Sequence, residues 1–346
     1  MIPIQRLFLI LVLLLSFSVS GQTHKENNVI CIGFYNLENF YDTINDPKTN
    51  DEEFLPNGSY RYTSAVYREK IHHLATVISQ IGTEISSDGL AVMGCAEVEN
   101  ETVIQDLIYD PLLINRHYAI VHYDSPDIRG IDVGLIYNPT YFKPLFSEPL
   151  FVHLPDENGS PHYTRDVLYV YGILNGDPVN IFVNHWPSRR GGAETSEPNR
   201  AIAAGVCRHK IDSLLAVNKN SRIIVMGDLN DDPVNKSVTK ILNATGEMKK
   251  VADGKLFNPW VDYYRNGTGT LAYNDSWNLF DQIILSSAFL HKEQAGYNFK
   301  EAKIFSKPWM IQQGGRYKGY PKRTYNFNKY AGGYSDHFPS YIILEK

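Results

Sequence analysis

Cysteine is scarce in this chain: Cys31, Cys95 and Cys207 are the only three among 346 residues. An odd number excludes a complete disulfide framework. Cys31 and Cys95 lie in apolar, strand-like runs, where a thiol acts as a small buried hydrophobe, and no chemistry is assigned to them. An excess of basic residues is lacking too. Lys and Arg number 33 against 38 Asp and Glu, a net charge of -5. That argues against holding nucleic acid through overall positive charge, though it leaves room for a local basic groove. The N-terminal apolar run, Leu7 to Leu15, falls short of the ~20 residues a spanning helix needs. With Arg6 ahead of it and mostly small residues from Ser16 to Gly21 behind, it reads as a secretory signal peptide over residues 1–21. No cysteine sits at the cleavage zone, so lipid attachment there is not expected. The expectation is an exported protein, periplasmic or secreted, acting as a monomer without stable membrane insertion.

What is present is enough for a sizeable core: 43% of the residues are hydrophobic and 21% charged, an ordinary balance for a globule. Strand-like runs recur at Val29–Tyr35, Leu90–Ala96, Tyr118–Tyr123, Ile131–Tyr137, Arg222–Met226, Leu279–Leu285 and Ser340–Leu344. Residues 166–174 and 179–184 read as a hairpin closed by Asn175-Gly176-Asp177-Pro178. Helical periodicity covers Ser64–Ile81 and Asn199–Leu215. No linker-like gap interrupts the series, so residues 29–346 are expected to form one α/β domain with sheets face to face and helices outside.

The chemistry gathers where these strands end. The run Arg222–Met226 ends at Gly227, and Asp228-Leu229-Asn230-Asp231-Asp232-Pro233 follows. Taken alone, this stretch fits an Asp-rich turn as well as it fits a catalytic floor. If the chain stays extended, Asp228 and Asn230 point to one face, and so do Asn36 and Glu38 after the first strand. Further strand ends carry Glu97, His185 and the pair Asp336 and His337, and Asp281 lies inside a strand. Carboxylates and amides without a thiolate suit a hard cation such as Mg²⁺ or Mn²⁺, with Ca²⁺ also possible. Histidines supply groups that titrate near neutrality, and Arg165 and the asparagines are suited to phosphate oxygens.

Seven motifs, in order, carry a resemblance: Phe34-Tyr35-Asn36-Leu37-Glu38, Ala96-Glu97-Val98, Thr164-Arg165-Asp166, Asn184-His185-Trp186, Gly227-Asp228-Leu229-Asn230, Phe280-Asp281-Gln282-Ile283 and Ser335-Asp336-His337-Phe338-Pro339. The chain resembles the endonuclease/exonuclease/phosphatase superfamily over roughly residues 30–345. The resemblance implies a four-layer α/β sandwich: two central mixed, largely antiparallel sheets flanked by helices, with the site at one edge. It implies Glu97 as principal metal ligand supported by Glu38 and Asp336, and Asn36 and Asn230 as holders of phosphate or metal-bound water. It further implies Asp228 for the attacking water, His337 paired with Asp281 for the phosphoryl oxygen, and His185 as a second histidine of the deoxyribonuclease I type. Asp132 is the weaker candidate for the acid orienting His185, and Arg165 looks like a phosphate-contacting arginine.

The substrate is less defined. A nucleic acid is favoured by the basic, aromatic-rich segment Lys300–Tyr334 and by Arg189 and Arg190, which could grip phosphates beside His185. Glu99 stands where the deoxyribonuclease I branch has a basic residue for the minor groove, which puts that contact in doubt. The alternatives are a phosphatase or phospholipase C-type hydrolase of a small phosphate ester or lipid head group, and a non-catalytic binding protein on the same fold.

Overall fold

Both faces of the opening strand are apolar. Ile30, Ile32 and Phe34 of β1 (Val29–Phe40) enter one core, while Cys31 and Tyr35 enter another. A strand whose alternate residues are all buried has to lie between two apolar layers. The computed structural model, which describes residues 29–156, 159–252, 254–291 and 295–346, shows those layers; the expected signal peptide lies outside the described residues.

β1 shares its sheet with β2 (Leu90–Val98), β3 (Ala119–His122) and β4 (Asp132–Tyr137). A second sheet takes β5 (Phe142–Leu150), β6 (Val167–Leu174), β7 (Asp177–His185), β8 (Ile223–Asp228), β9 (Ala244–Thr245) and β10 (Leu256–Phe257). A ribbon of β11 (Leu271–Tyr273) and β12 (Ser276–Asn278) leads to β13 (Asp281–Ser286), which returns to that sheet. β14 (Asn298–Ile304) rejoins the first sheet. A small hairpin of β15 (Tyr325–Asn326) and β16 (Lys329–Tyr330) follows, and β17 (Ser340–Glu345) completes the first sheet. The strand orders are β14-β17-β1-β2-β4-β3 and β5-β6-β7-β8-β13-β10-β9. β1–β2, β7–β8 and β9–β10 run parallel and the other pairs antiparallel, so both sheets are mixed and largely antiparallel.

Ile224 and Met226 of β8 and Ile342 and Leu344 of β17 fill the space between the sheets with Ile32 and Phe34. On the outer side of the first sheet, Leu74, Val77 and Ile78 of α1 (Ser64–Ile78) and Ile104 and Leu107 of α2 (Glu101–Ile108) cover Met93, Cys95 and Ile343. On the outer side of the second, Ala203, Ala204, Cys207 and Ile211 of α3 (Ala193–Val217) cover Phe182, Ile223 and Val225. Helix, sheet, sheet and helix make the expected four-layer sandwich. A fourth, small cluster stands apart: Tyr41, Tyr62, Ile131 and Tyr325, with Phe54 and Tyr60 packed against it. All three cysteines are free and buried.

Two local features differ from the sequence expectation. The β6–β7 hairpin closes on Asn175-Gly176 alone, both with positive φ (46° and 89°), the conformation that matches strand twist. α3 begins six residues ahead of Asn199 and runs through Pro198. Arg200 donates to the Ala193 carbonyl at 2.7 Å and to the Ser196 hydroxyl at 2.7 Å, which ties the first turn to the body of the helix.

Gly227 adopts φ 157°, and a Cβ there would stand 2.3 Å from the Asn184 carbonyl oxygen of β7. Only a residue without a side chain lets β7 and β8 pair up to their ends. Gly227→Ala is expected to lower stability by roughly 2–3 kcal/mol through forced displacement of a packed strand. Urea denaturation measures this; an unchanged midpoint would show that the strand end yields freely.

Candidate active site

Strand register assembles the site. His185 ends β7 opposite Asp228 at the end of β8, and Asp228 in turn stands opposite Asp281 at the start of β13. In the facing sheet β1 and β2 run parallel with Asn36 opposite Ala96, so Glu97 emerges at the same end. The Asn36 amide bridges the two sheets, donating to Asp228 Oδ2 at 3.0 Å and to Glu97 Oε1 at 3.3 Å.

The backbone is bent to aim these groups. Glu38, Asn39, Glu97 and Asn230 have φ of 51°, 46°, 60° and 48°, a left-handed conformation that non-glycine residues rarely adopt and that concentrates at functional sites. The bend at Glu38 means that Asn36 and Glu38 do not share a face as an extended strand would require. Asn36 turns to Glu97 and Asp228. Glu38 turns to the Arg323 guanidinium at 3.0 Å and the Thr324 N–H at 2.7 Å. Asn230 likewise leaves the strand direction: its N–H donates to Asp228 Oδ1 at 2.9 Å and its amide to the Trp186 carbonyl at 2.9 Å.

His337 Nδ1 lies 2.7 Å from Asp281 Oδ2, while Nε2 faces Asp228 Oδ2 and Asp336 Oδ1, each at 3.9 Å. Burial alone would depress this imidazole, but Asp281, Asp228 and Asp336 hold its pKa well above the ordinary value, so it is protonated at neutral pH. Asp228 moves the other way for a carboxylate: burial pushes it up to about 6. His185 is the opposite of His337. Burial, then Arg165, Arg129 and His337, hold it well below its ordinary value, leaving a neutral ring. Its Nε2 faces Glu97 Oε1 and Asp228 Oδ2 at 3.8 Å each, and its buried Nδ1 has no hydrogen-bond partner among the described residues.

Several expected positions land elsewhere. Asp132 bonds His122 Nε2 at 3.1 Å and the Ser125 N–H at 2.8 Å, and it makes no hydrogen bond to His185. Arg165 is buried, and each nitrogen of its fork makes a hydrogen bond: Nε to the His185 carbonyl at 3.1 Å, Nη2 to the Trp186 carbonyl at 2.6 Å and Nη1 to Asp127 at 2.8 Å. It holds the strand end that carries His185 rather than facing the cleft. Arg189 is likewise turned inward, onto the Asn230 carbonyl at 2.9 Å and Asp232 at 3.0 Å, and only Arg190 is exposed. Asp231 and Asp232, read as ordinary turn residues, are buried and pair with Arg200 and Arg189. Glu99 also points inward, accepting from the Asp42 N–H at 2.6 Å, so it does not project toward a groove.

Two cations were not singled out from the sequence. Arg323 bridges Glu38 and Asp336, at 3.0 and 2.9 Å. Lys70, buried on α1, donates to the Glu38 carbonyl at 2.6 Å and the Thr324 hydroxyl at 2.7 Å. Lys70 had a signal: it interrupts the apolar stripe Val66, Leu74, Ile78 at helical spacing, where a cation needs a buried partner. Arg323 had none beyond its place in a basic segment.

The donor set is one of hard oxygens. Glu97, Asp336 and the Asn36 amide could hold a divalent cation of the Mg²⁺ type; Arg323 pairs with Asp336 as well as with Glu38, and Glu38 takes a further bond from the Thr324 N–H. Asp228, Asp281 and His337 also lie close enough to share an ion. There, however, the short His337–Asp281 hydrogen bond commits the ring nitrogen, and a proton fits that contact better than a metal.

A site of acids, amides and one charged histidine across the edges of two facing sheets is that of a phosphoric ester hydrolase fold. The chain belongs to the endonuclease/exonuclease/phosphatase family, whose model matches residues 31–346. No curated protein matches by sequence. Among solved structures, the chain is similar to a Bacteroides thetaiotaomicron mannosyl-6-phosphatase (15% identity, TM-score 0.53, covering 92% of this chain and 100% of that one). It is similar to D. rerio TDP2 complexed with single-strand DNA product (13%, TM-score 0.54, 92% and 99%). It is also similar to the human Nocturnin catalytic domain with bound sulfate (14%, TM-score 0.54, 92% and 94%). At such identities the likeness is one of fold.

Arg165→Lys, which can keep one of the three hydrogen bonds, is expected to lower kcat about tenfold or more with little change in KM. A rise in KM at constant kcat would return Arg165 to the role of phosphate contact. Burial also pushes Glu99 up to about 8, far above an exposed glutamate. The folded chain therefore binds this proton more tightly than the unfolded chain, and stability from it is present at acid pH and lost as pH rises toward 8. Glu99→Gln should gain stability relative to the native chain at pH 8.5 but not at pH 4, in denaturation curves at the two values.

Proposed function

We propose that the protein is an exported, divalent-metal-dependent phosphodiesterase that hydrolyses nucleic acid. The observation that carries the chemistry is the opposed pair at the cleft floor: Asp228, raised by burial, and His337, kept charged by Asp281. An in-line displacement at phosphorus needs a water relieved of its proton and positive charge on the phosphoryl oxygens. Asp228, fixed by Asn36 and the Asn230 N–H, takes the proton; its pKa near 6 suits a base working near neutrality. His337 donates Nε2–H to a phosphoryl oxygen, its orientation and charge fixed by Asp281. Neutral His185 adds a second ring donor on the side of Glu97. The cation, held by Glu97 and Asp336, would supply further neutralisation of phosphoryl charge.

For the substrate, support comes from Arg316, Lys318, Lys322, Arg323 and Lys329, interleaved with Tyr317, Tyr320, Tyr325, Phe327 and Tyr330, a segment whose Arg323 pairs with Glu38 and Asp336. Cations among aromatic rings suit a phosphate chain with stacked bases. The D. rerio TDP2 structure holds single-strand DNA product on the same fold. A second reading, a small phosphate ester, is favoured by the mannosyl-6-phosphatase likeness. No helix among the described residues is long and apolar enough to cross a membrane.

Glu97→Ala, Asp228→Ala and His337→Ala are each expected to lower turnover by about 10²–10⁴ while the far-UV dichroism stays native, and EDTA should abolish it. Near-normal activity in any one of the three removes its assigned role. Plasmid DNA, RNA, sphingomyelin and a hexose 6-phosphate, each with Mg²⁺ or Mn²⁺, separate the substrates: hydrolysis of the lipid or sugar ester without either nucleic acid would sink the nuclease reading. Export predicts a mature N-terminus near residue 22, read by mass spectrometry of the exported protein.

A further inference from the structure

Beside Glu38 the chain forms a pocket of about 180 Å³. Phe54, Tyr60 and Tyr62 of the 51–62 loop line one side, and Tyr317, Tyr325 and Phe327 the other, with Arg323 between the pocket and Asp336. Most of these rings are already packed. Phe54 stacks on Tyr41 and Tyr60 with centroids 4.3 and 4.7 Å apart, and Tyr325 meets Tyr60 edge-on at 5.0 Å.

Phe327 is different. Its nearest ring is Tyr317 at 6.4 Å, and the residue is 75% exposed. It stands first in the two-residue turn of the β15–β16 hairpin, where Asn326 pairs with Lys329, and its φ is 55°. Hairpins of this kind favour glycine or asparagine at such a position. A bulky ring there is strained and, being exposed, gains little from burial in return. Folding gives no reason for phenylalanine at this tip; a ligand ring would. Around the mouth, Arg316, Lys318 and Lys329 are exposed and Arg323 is partly so, placing positive charge where an attached phosphate would run.

We propose that this pocket is a base-binding subsite, in which the face of Phe327 stacks a nucleobase whose phosphate lies toward Arg323 and Asp336. This deepens the phosphodiesterase reading and rests on it for the direction of the phosphate, though the base contact itself needs no turnover.

The test is equilibrium binding to the full mature chain in EDTA, with adenosine 5′-monophosphate, ribose 5-phosphate and mannose 6-phosphate as probes in titration calorimetry. Adenosine monophosphate should bind roughly tenfold more tightly than ribose 5-phosphate, in keeping with one stacked base. Phe327→Asn relieves the backbone and should keep or raise the thermal midpoint while erasing that preference; Phe327→Trp should preserve it. Equal affinity for the two ribose probes, tighter binding of mannose 6-phosphate, or a preference that survives Phe327→Asn overturns the subsite. A chain that shows the base preference yet hydrolyses no phosphodiester loses the proposed function and keeps the pocket. One that hydrolyses DNA or RNA without the preference loses the pocket alone.

Discussion

The alignment of β7, β8 and β13 is the constraint on which the site depends. His185, Asp228 and Asp281 stand side by side across three neighbouring strands, so the strand spacing of about 4.8 Å sets how far apart they sit. A slip of one residue would turn each of them to the other face and carry Met226 or Ile283 out of the core between the sheets. The buried networks around the strand ends therefore serve register before anything else. Arg165 clamps the carbonyls after β7, Arg200 and Arg189 clamp Asp231 and Asp232 after β8, and Gln282 donates from β13 to the Asp231 carbonyl at 2.7 Å. Ser335 ties the third side, its hydroxyl donating to the Asn36 carbonyl at 2.7 Å and accepting from the His337 N–H at 3.1 Å.

Gathering Glu38, Glu97, Asp228, Asp281 and Asp336 in one cleft is electrostatically unfavourable, and the fold offsets it locally. Arg323 spans two of these acids, protonated His337 faces three, and Lys70 lies behind Glu38. Burial adds its own cost, visible in the raised pKa of Asp228, and the backbone is held left-handed at Glu38 and Glu97. Such costs are typical of sites where geometry is kept for chemistry at the expense of stability.

Much of this could be read before the fold was seen, for a physical reason. A carboxylate or imidazole ending a fully apolar strand interrupts the pattern that burial imposes, so Glu97, His185 and Asp228 stand out one by one, and the four-layer arrangement follows from strands apolar on both faces. The Asp281–His337 pair spans 56 residues, and its partnership came from resemblance rather than from spacing. What failed was direction. An extended strand would align Asn36 with Glu38, but the left-handed backbone at Glu38 itself turns its side chain away. Arg165, Arg189 and Asp132 have the right chemistry for phosphate or imidazole, yet each has a nearer, buried partner that sequence order does not reveal. Asp231 and Asp232 fitted an ordinary Asp-rich turn because nothing local announces the arginines that bury them.

The small aromatic cluster of Tyr41, Tyr62, Ile131 and Tyr325 is separate from the three cores that bury the sheets. The loops it supports therefore draw little of their stability from the strands that carry Asp228 and His185. Substitutions, insertions or trimming in the 51–62 loop and the β15–β16 hairpin can accumulate without disturbing those strands. The molecule is thus modular in its capacity to vary: descendants of this chain could diverge in what they accept while inheriting the same catalytic floor.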